Sequence, residues 1–132
     1  MTDSITICNT NRTLDGWTCT GERMATRKTQ AKAEPGEGFV YAVRIEVIQG
    51  FSLLKIGATT APYERFLNFG NRASLFCLSP PHKNFFENES ILHECFSSYR
   101  IPRGPAHKGT AELFNISMTY FLESMPELEL KK

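Results

Sequence analysis

Two runs rich in β-branched and aromatic residues stand almost back to back in this chain. The first is Phe39-Val40-Tyr41-Ala42-Val43-Arg44-Ile45-Glu46-Val47 and the second Phe51-Ser52-Leu53-Leu54-Lys55-Ile56-Gly57. Both read as strands, and a connection this short joins them as a hairpin. If the loop is Ile48-Gln49-Gly50, its last residue is the glycine that a three-residue loop holds in the left-handed conformation. Val47 then faces Phe51, which sets Val43 opposite Lys55 and Tyr41 opposite Gly57. Tyr41 and Lys55 share a face in that register, whereas a two-residue loop would put them on opposite faces.

Downstream, Pro62 suits the first turn of a short helix through Tyr63-Glu64-Arg65-Phe66-Leu67-Asn68-Phe69, and Gly70 ends it. Ala73 to Ser79 alternates less cleanly but reads as a buried third strand closed by Pro80-Pro81. A clearer helix begins near Asn84, where a capping box with Glu87 is expected. Its apolar stripe is Phe85, Leu92, Cys95, Phe96 and Tyr99, with Glu87 and Glu94 on the opposite side. Glu89 falls at the border of the stripe beside Phe96, and His93 lies one turn further along the same edge. Arg100 to Lys108 is then a basic loop with two prolines, Glu112 to Ile116 an edge strand, and Ser117 to Met125 a closing helix stopped by Pro126.

A length of 132 residues supports one domain, and 41% hydrophobic with 22% charged residues is ordinary globular usage. A core of that size needs neither disulfide nor zinc staples. Cys8, Cys19, Cys77 and Cys95 are widely spaced without a C-x-x-C pair, which excludes a zinc framework and leaves them as small buried hydrophobes. No stretch approaches the roughly 20 apolar residues of a membrane span, and the first residues lack a secretory order of basic then apolar, so a cytoplasmic, reducing location is expected. The net charge of +1 excludes a histone-like coat for nucleic acid but not a local phosphate-binding patch. Residues 1–36 read as an N-terminal arm, poor in periodicity apart from Ser4 to Cys8, and the domain follows over 37–132. Arg23, Arg27, Lys28 and Lys32 lie in that arm without an intervening acid. Such a run is either a solvated extension or a phosphate-contacting arm.

The order and spacing of several residues resemble the GIY-YIG nuclease superfamily, specifically its short phage-associated branch, from Gly38 to about Ser117. Phe39-Val40-Tyr41 stands where the first motif lies, Lys55-Ile56-Gly57 with Thr59 where the second lies, and Arg65 in the position of the arginine on the next helix. Glu89 in Glu89-Ser90-Ile91-Leu92-His93 corresponds to the glutamate, and Gly109-Thr110-Ala111-Glu112-Leu113-Phe114 to the final box of that branch. Lys55 replaces the tyrosine common in the second motif, and Phe69 stands where some nucleases have histidine.

The resemblance implies an α/β domain of the α+β type, with a small mixed, mainly antiparallel three-stranded sheet flanked by helices. It also implies a divalent-metal-dependent DNA endonuclease or nickase that uses Mg2+ or Mn2+. Phosphodiester hydrolysis needs a proton acceptor, a cation on the nonbridging oxygens and further positive charge. Glu89 is the expected metal ligand, since magnesium takes few protein carboxylates and keeps several waters. Arg65 offers its fork of donors to the phosphate. Tyr41 is the expected proton acceptor, which requires a phenol acidified below its ordinary value of about 10 by nearby cations such as Lys55. His93, Thr59 and Glu112 are expected to support these groups, and Arg100, Arg103, Lys108, Arg27 and Lys28 to follow the DNA backbone without reading sequence.

Each residue also has an ordinary structural reading: Tyr41 as a core tyrosine, Lys55 reaching out from a sheet edge, Arg65 on a helix surface, His93 on a backbone carbonyl. A rival of a different class follows: a catalytically weak module that binds DNA or a host or phage protein, for instance a phage product blocking a host defence or nuclease. All four expected catalytic side chains would have to meet in one pocket for the enzyme reading.

Overall fold

The hairpin forms the middle of one antiparallel sheet in the computed structural model, which describes residues 17–21, 32–101, 113–125 and 130. The strands are β1 (Thr18–Thr20), β2 (Phe39–Ile48), β3 (Phe51–Thr59), β4 (Ala73–Leu78) and β5 (Leu113–Phe114). They lie in the order β1-β4-β2-β3-β5, with every neighbouring pair antiparallel. The α-helices of the described residues are α1 (Pro62–Asn68), α2 (Phe85–Cys95) and α3 (Met118–Ser124). No helix among them is long and apolar enough to cross a membrane.

The expected small sheet of three strands, mixed but mainly antiparallel, is therefore corrected to five strands, all antiparallel. β5 falls within the edge strand expected over Glu112 to Ile116, whereas β1, an edge of three residues, is too short to print a period-two pattern. β1 lies within the stretch read as an arm, and Trp17 beside it is buried, its ring 6.2 Å from Phe121 of α3.

The hairpin register is the expected one, reached by another route. Tyr41 faces Gly57 and Val43 faces Lys55, but the ladder continues past Glu46↔Ser52 to Ile48↔Phe51 with a bulge at Val47. A two-residue turn plus one bulged residue has the same parity as a three-residue loop, so the faces are unchanged. Gly50 takes the left-handed conformation at φ 82°, and its N–H is held by Oε2 of Glu46 at 2.8 Å.

A second bulge explains the uneven alternation of the third strand. Val43 pairs with Phe76 and Arg44 with Ser74, so Leu75, at φ 57°, is the extra residue. Ala73, Phe76 and Leu78 consequently face one side of the sheet with Tyr41, Val43 and Phe66 of α1. Leu75 and Cys77 face the other, packing with Ala42, Ile56, Phe85 and Leu92 of α2, and Phe121 of α3. The sheet is thus covered on both faces.

Two expectations for α2 need correction. Asn84 stands at the N-cap but makes no side-chain cap bond, its backbone at φ −92° and ψ 29° lying outside the extended geometry that aims a cap. Cys95 is exposed, because it lies about 80° around the helix from Phe85 and the covered stripe is narrower than that. The 3-10 turn Ser97–Tyr99 then carries Tyr99 outward as well. At the other end, α3 starts as expected, with the Ser117 hydroxyl accepting from the Tyr120 N–H at 3.0 Å.

The cysteines also differ from expectation. Cys19 and Cys77 are buried, yet they are joined as a disulfide, directly opposed across β1 and β4 and 58 residues apart in sequence. Docking of a three-residue edge strand brings them together, and no local pattern announces it. Closing a loop of this length restricts the unfolded chain, so the bond is expected to contribute about 2–4 kcal/mol. Denaturant melts with and without reductant should show that loss, and Cys19→Ser should reproduce it and abolish the response to reductant.

Candidate active site

The candidate residues gather around two consecutive residues of β3, Ile56 and Gly57. On one face, Tyr41 of β2 lies directly opposite Gly57 and is fully buried. A side chain at position 57 would put its Cβ 2.6 Å from Cζ of Tyr41 and on the hydroxyl itself. The glycine is therefore required by close approach, since its backbone supplies the floor on which the phenol rests. Tyr41 packs edge-on against Phe66 at 5.4 Å, and Phe69 covers it at 6.2 Å, the position where the resemblance allows histidine.

α1 brings an arginine to that hydroxyl. Thr59, at the end of β3, accepts the Ala61 N–H at 3.0 Å and turns the chain into the helix, whose first turn holds Pro62. The Arg65 N–H bonds the Ala61 carbonyl at 3.0 Å, and Arg65 Nη1 donates to the Tyr41 hydroxyl at 3.5 Å. Arg65 is otherwise exposed, and one such bond leaves most of the donors of a guanidinium for a ligand. Lys55 is half-buried on the same face as Tyr41, two residues before Gly57. Tyr41, Lys55, Arg65 and Thr59 thus lie around one strand end on one face of the sheet, whereas Glu89 is carried by α2 across the sheet, so the expected meeting of Tyr41, Lys55, Arg65 and Glu89 in one pocket is not what the structure contains.

Glu89 and His93 approach from the opposite face, on α2. His93 Nε2 donates to the Ile56 carbonyl at 2.8 Å, since a carbonyl only accepts. The same nitrogen is 3.8 Å from Oε2 of Glu89, one helical turn earlier. The imidazole thus fastens α2 to β3 and holds the carboxylate beside that edge, with the Phe114 ring 5.3 Å from it. Both side chains are about one-fifth exposed, which keeps the carboxylate within reach of water. Of the two readings, the bond to the backbone carbonyl is the one the structure contains; Glu89 lies beside the same nitrogen at 3.8 Å, beyond hydrogen-bond distance.

The sheet separates the two halves. Tyr41 and Arg65 stand on the α1 side and Glu89 on the α2 side, linked through the Ile56–Gly57 backbone. β5 pairs with Leu54 and Lys55 of β3, and the residues just before Leu113 lie outside the described residues. Arg100 is exposed and bridges to Phe114 at that end of the sheet. Glu112, Arg103, Lys108, Arg27 and Lys28 lie outside the described residues.

Sequence reading missed a polar support under α2. Asn88 is 3% exposed, and its Nδ2 donates to Nε2 of His82 at 3.0 Å while His82 Nδ1 donates to the Pro80 carbonyl at 2.9 Å. Nearby, the Ser79 hydroxyl accepts from the Val40 N–H at 3.0 Å. An asparagine on an otherwise apolar helix face was the available signal, and its neighbour in sequence is Glu89.

The fold and site together define a small α+β domain that sets an arginine, a lysine and a carboxylate around the end of one central hairpin. Residues 38–128 match the T5orf172 domain, and the chain belongs to that family, a phage-associated domain of nuclease-related proteins. No curated protein and no solved structure matches it.

If Gly57 is the floor for Tyr41, Gly57→Ala should destabilise the domain by about 1–3 kcal/mol, the usual range for overpacking. Tyr41→Phe in the same chain should restore part of it, because one of the two overlapped atoms is gone. A double-mutant cycle from denaturant melts measures this; additive losses would mean that the two residues do not touch.

Proposed function

We propose that this domain is a divalent-metal-dependent DNA endonuclease or nickase of the GIY-YIG type. The observation that carries the reading is the meeting of Arg65, Tyr41 and the Glu89–His93 pair on the Ile56–Gly57 segment of β3. A motif family that was legible only as scattered residues acquires a common anchor there.

In this reading Glu89 holds Mg2+ or Mn2+, and the fit rests on its donor chemistry. A partly exposed carboxylate with room for water suits magnesium, and His93, committed to the Ile56 carbonyl, is an orienting group. When bound, the ion supplies positive charge to the nonbridging oxygens and acidifies water. Arg65 grips the scissile phosphate with the donors not used on Tyr41, and Lys55 adds charge on the same face. Tyr41, which this step requires as the phenolate, receives the proton of the attacking water and becomes the neutral phenol. Arg100, with Arg103, Lys108, Arg27 and Lys28, follows the backbone of the DNA, so binding weakens steeply with salt.

A second reading is favoured by one observation: Tyr41 is fully buried, its ring clamped by Phe66 and Phe69. A hydroxyl in that position serves to orient Arg65 and needs no access to water. The domain would then bind DNA, or a host or phage protein, without cutting it.

Incubation of the full chain with supercoiled plasmid and magnesium separates the two. Nicking or linearisation that chelator stops, reduced about 100-fold or more in both Arg65→Ala and Glu89→Ala, is the result expected of the enzyme. Cleavage surviving in both variants would remove these residues from the chemistry. An inert wild type that still binds DNA, as do both variants, would establish the second reading.

A further inference from the structure

We propose that Tyr99 and Tyr120 form a stacking platform for the unpaired bases of a single DNA strand, with Arg100 holding the adjoining phosphate. The proposal rests on the DNA-binding part of the functional reading and not on cleavage.

Tyr99 and Tyr120 are 40% and 43% exposed, and their rings meet at 5.8 Å with an interplanar angle of 69°. A pair of large aromatics left in water calls for an occupant. Both are anchored from behind. The Tyr99 N–H bonds the Phe96 carbonyl at 2.9 Å, and the Tyr99 carbonyl accepts from the Asn115 N–H at 2.9 Å. Tyr120 sits in the capped first turn of α3, and its carbonyl accepts from the Ser124 hydroxyl at 2.9 Å. Buried Phe96 packs edge-on against Tyr120, 6.1 Å between the ring centres. A backbone fixed in this way at both tyrosines lowers the cost of ordering the pair when a ligand stacks on it.

Charge selects the ligand. Neighbouring Tyr120 pushes the Tyr99 phenol above its ordinary value. Arg100 follows directly and is exposed, and no acid occurs in sequence from Arg100 to Thr110. Glu123 lies one turn beyond Tyr120 on α3 and is exposed, so it repels phosphate on that side and directs the backbone towards Arg100. Exposed aromatic rings followed directly in sequence by an exposed arginine suit stacking without sequence readout.

Fluorescence anisotropy of the full chain with two labelled oligonucleotides of equal length tests this, one bearing bases and one abasic throughout. Wild type should prefer the base-bearing strand. Tyr99→Ala and Tyr120→Ala should each weaken that strand about tenfold while leaving the abasic strand unchanged. Tyr99→Phe and Tyr120→Phe should retain the preference, which guards against loss through misfolding. Arg100→Gln should weaken both strands and flatten the salt dependence.

Equal affinity of wild type for the two strands, or alanine variants indistinguishable from wild type, would overturn the platform while duplex binding leaves the functional reading intact. Binding of duplex alone has the same meaning. Absence of binding to any of these DNAs would overturn the platform and the functional reading together, as would a protein partner held through these tyrosines by a chain that binds no DNA.

Discussion

The approach of the Tyr41 phenol to the bare backbone of Gly57 is the contact on which the arrangement turns. It exists because Tyr41 and Gly57 are directly opposed in the β2–β3 ladder. A slip of one residue would send Tyr41 to the α2 face and put a side chain under it. The same register places Lys55 on the Tyr41 face and leaves the Ile56 carbonyl at the edge where His93 binds it. Arg65 reaches the phenol because Thr59, two residues beyond Gly57, turns the chain into α1.

Irregularities in the strands maintain this register. The bulge at Val47 makes a tight turn compatible with the required parity, and Glu46 secures it through the Gly50 N–H. The bulge at Leu75 lets β4 present Phe76 to the phenol side and Cys77 to the helix side. Cys77 can then join Cys19, which ties the outermost strand to the sheet. A left-handed leucine costs on the order of 1 kcal/mol. Its side chain is 4% exposed, so burial offsets that cost.

Chemically, the sheet is both scaffold and partition. It holds a cationic group and a phenol on one side and a carboxylate steadied by an imidazole on the other, with the end of β3 as their meeting place. Complete burial of Tyr41 gives it a second character, as the packed element that orients Arg65. Catalysis and simple binding thus draw on the same contacts and differ in whether the phenol is reached by water.

Local pattern alone determined the hairpin, the start of α1 at Pro62, the closing helix from Ser117, and the border position of Glu89. Each depends on neighbours a few residues away, where periodicity and turn chemistry act. Tertiary structure decided the rest: the β1 edge, the Cys19–Cys77 bond, the Asn88–His82 support, the outward turn of Cys95, and the division of the site between two faces. Those features join segments tens of residues apart, and their energy comes from packing surfaces that exist only once the chain has folded. A three-residue strand has no periodicity to read, and a glycine does not say which phenol will rest on it.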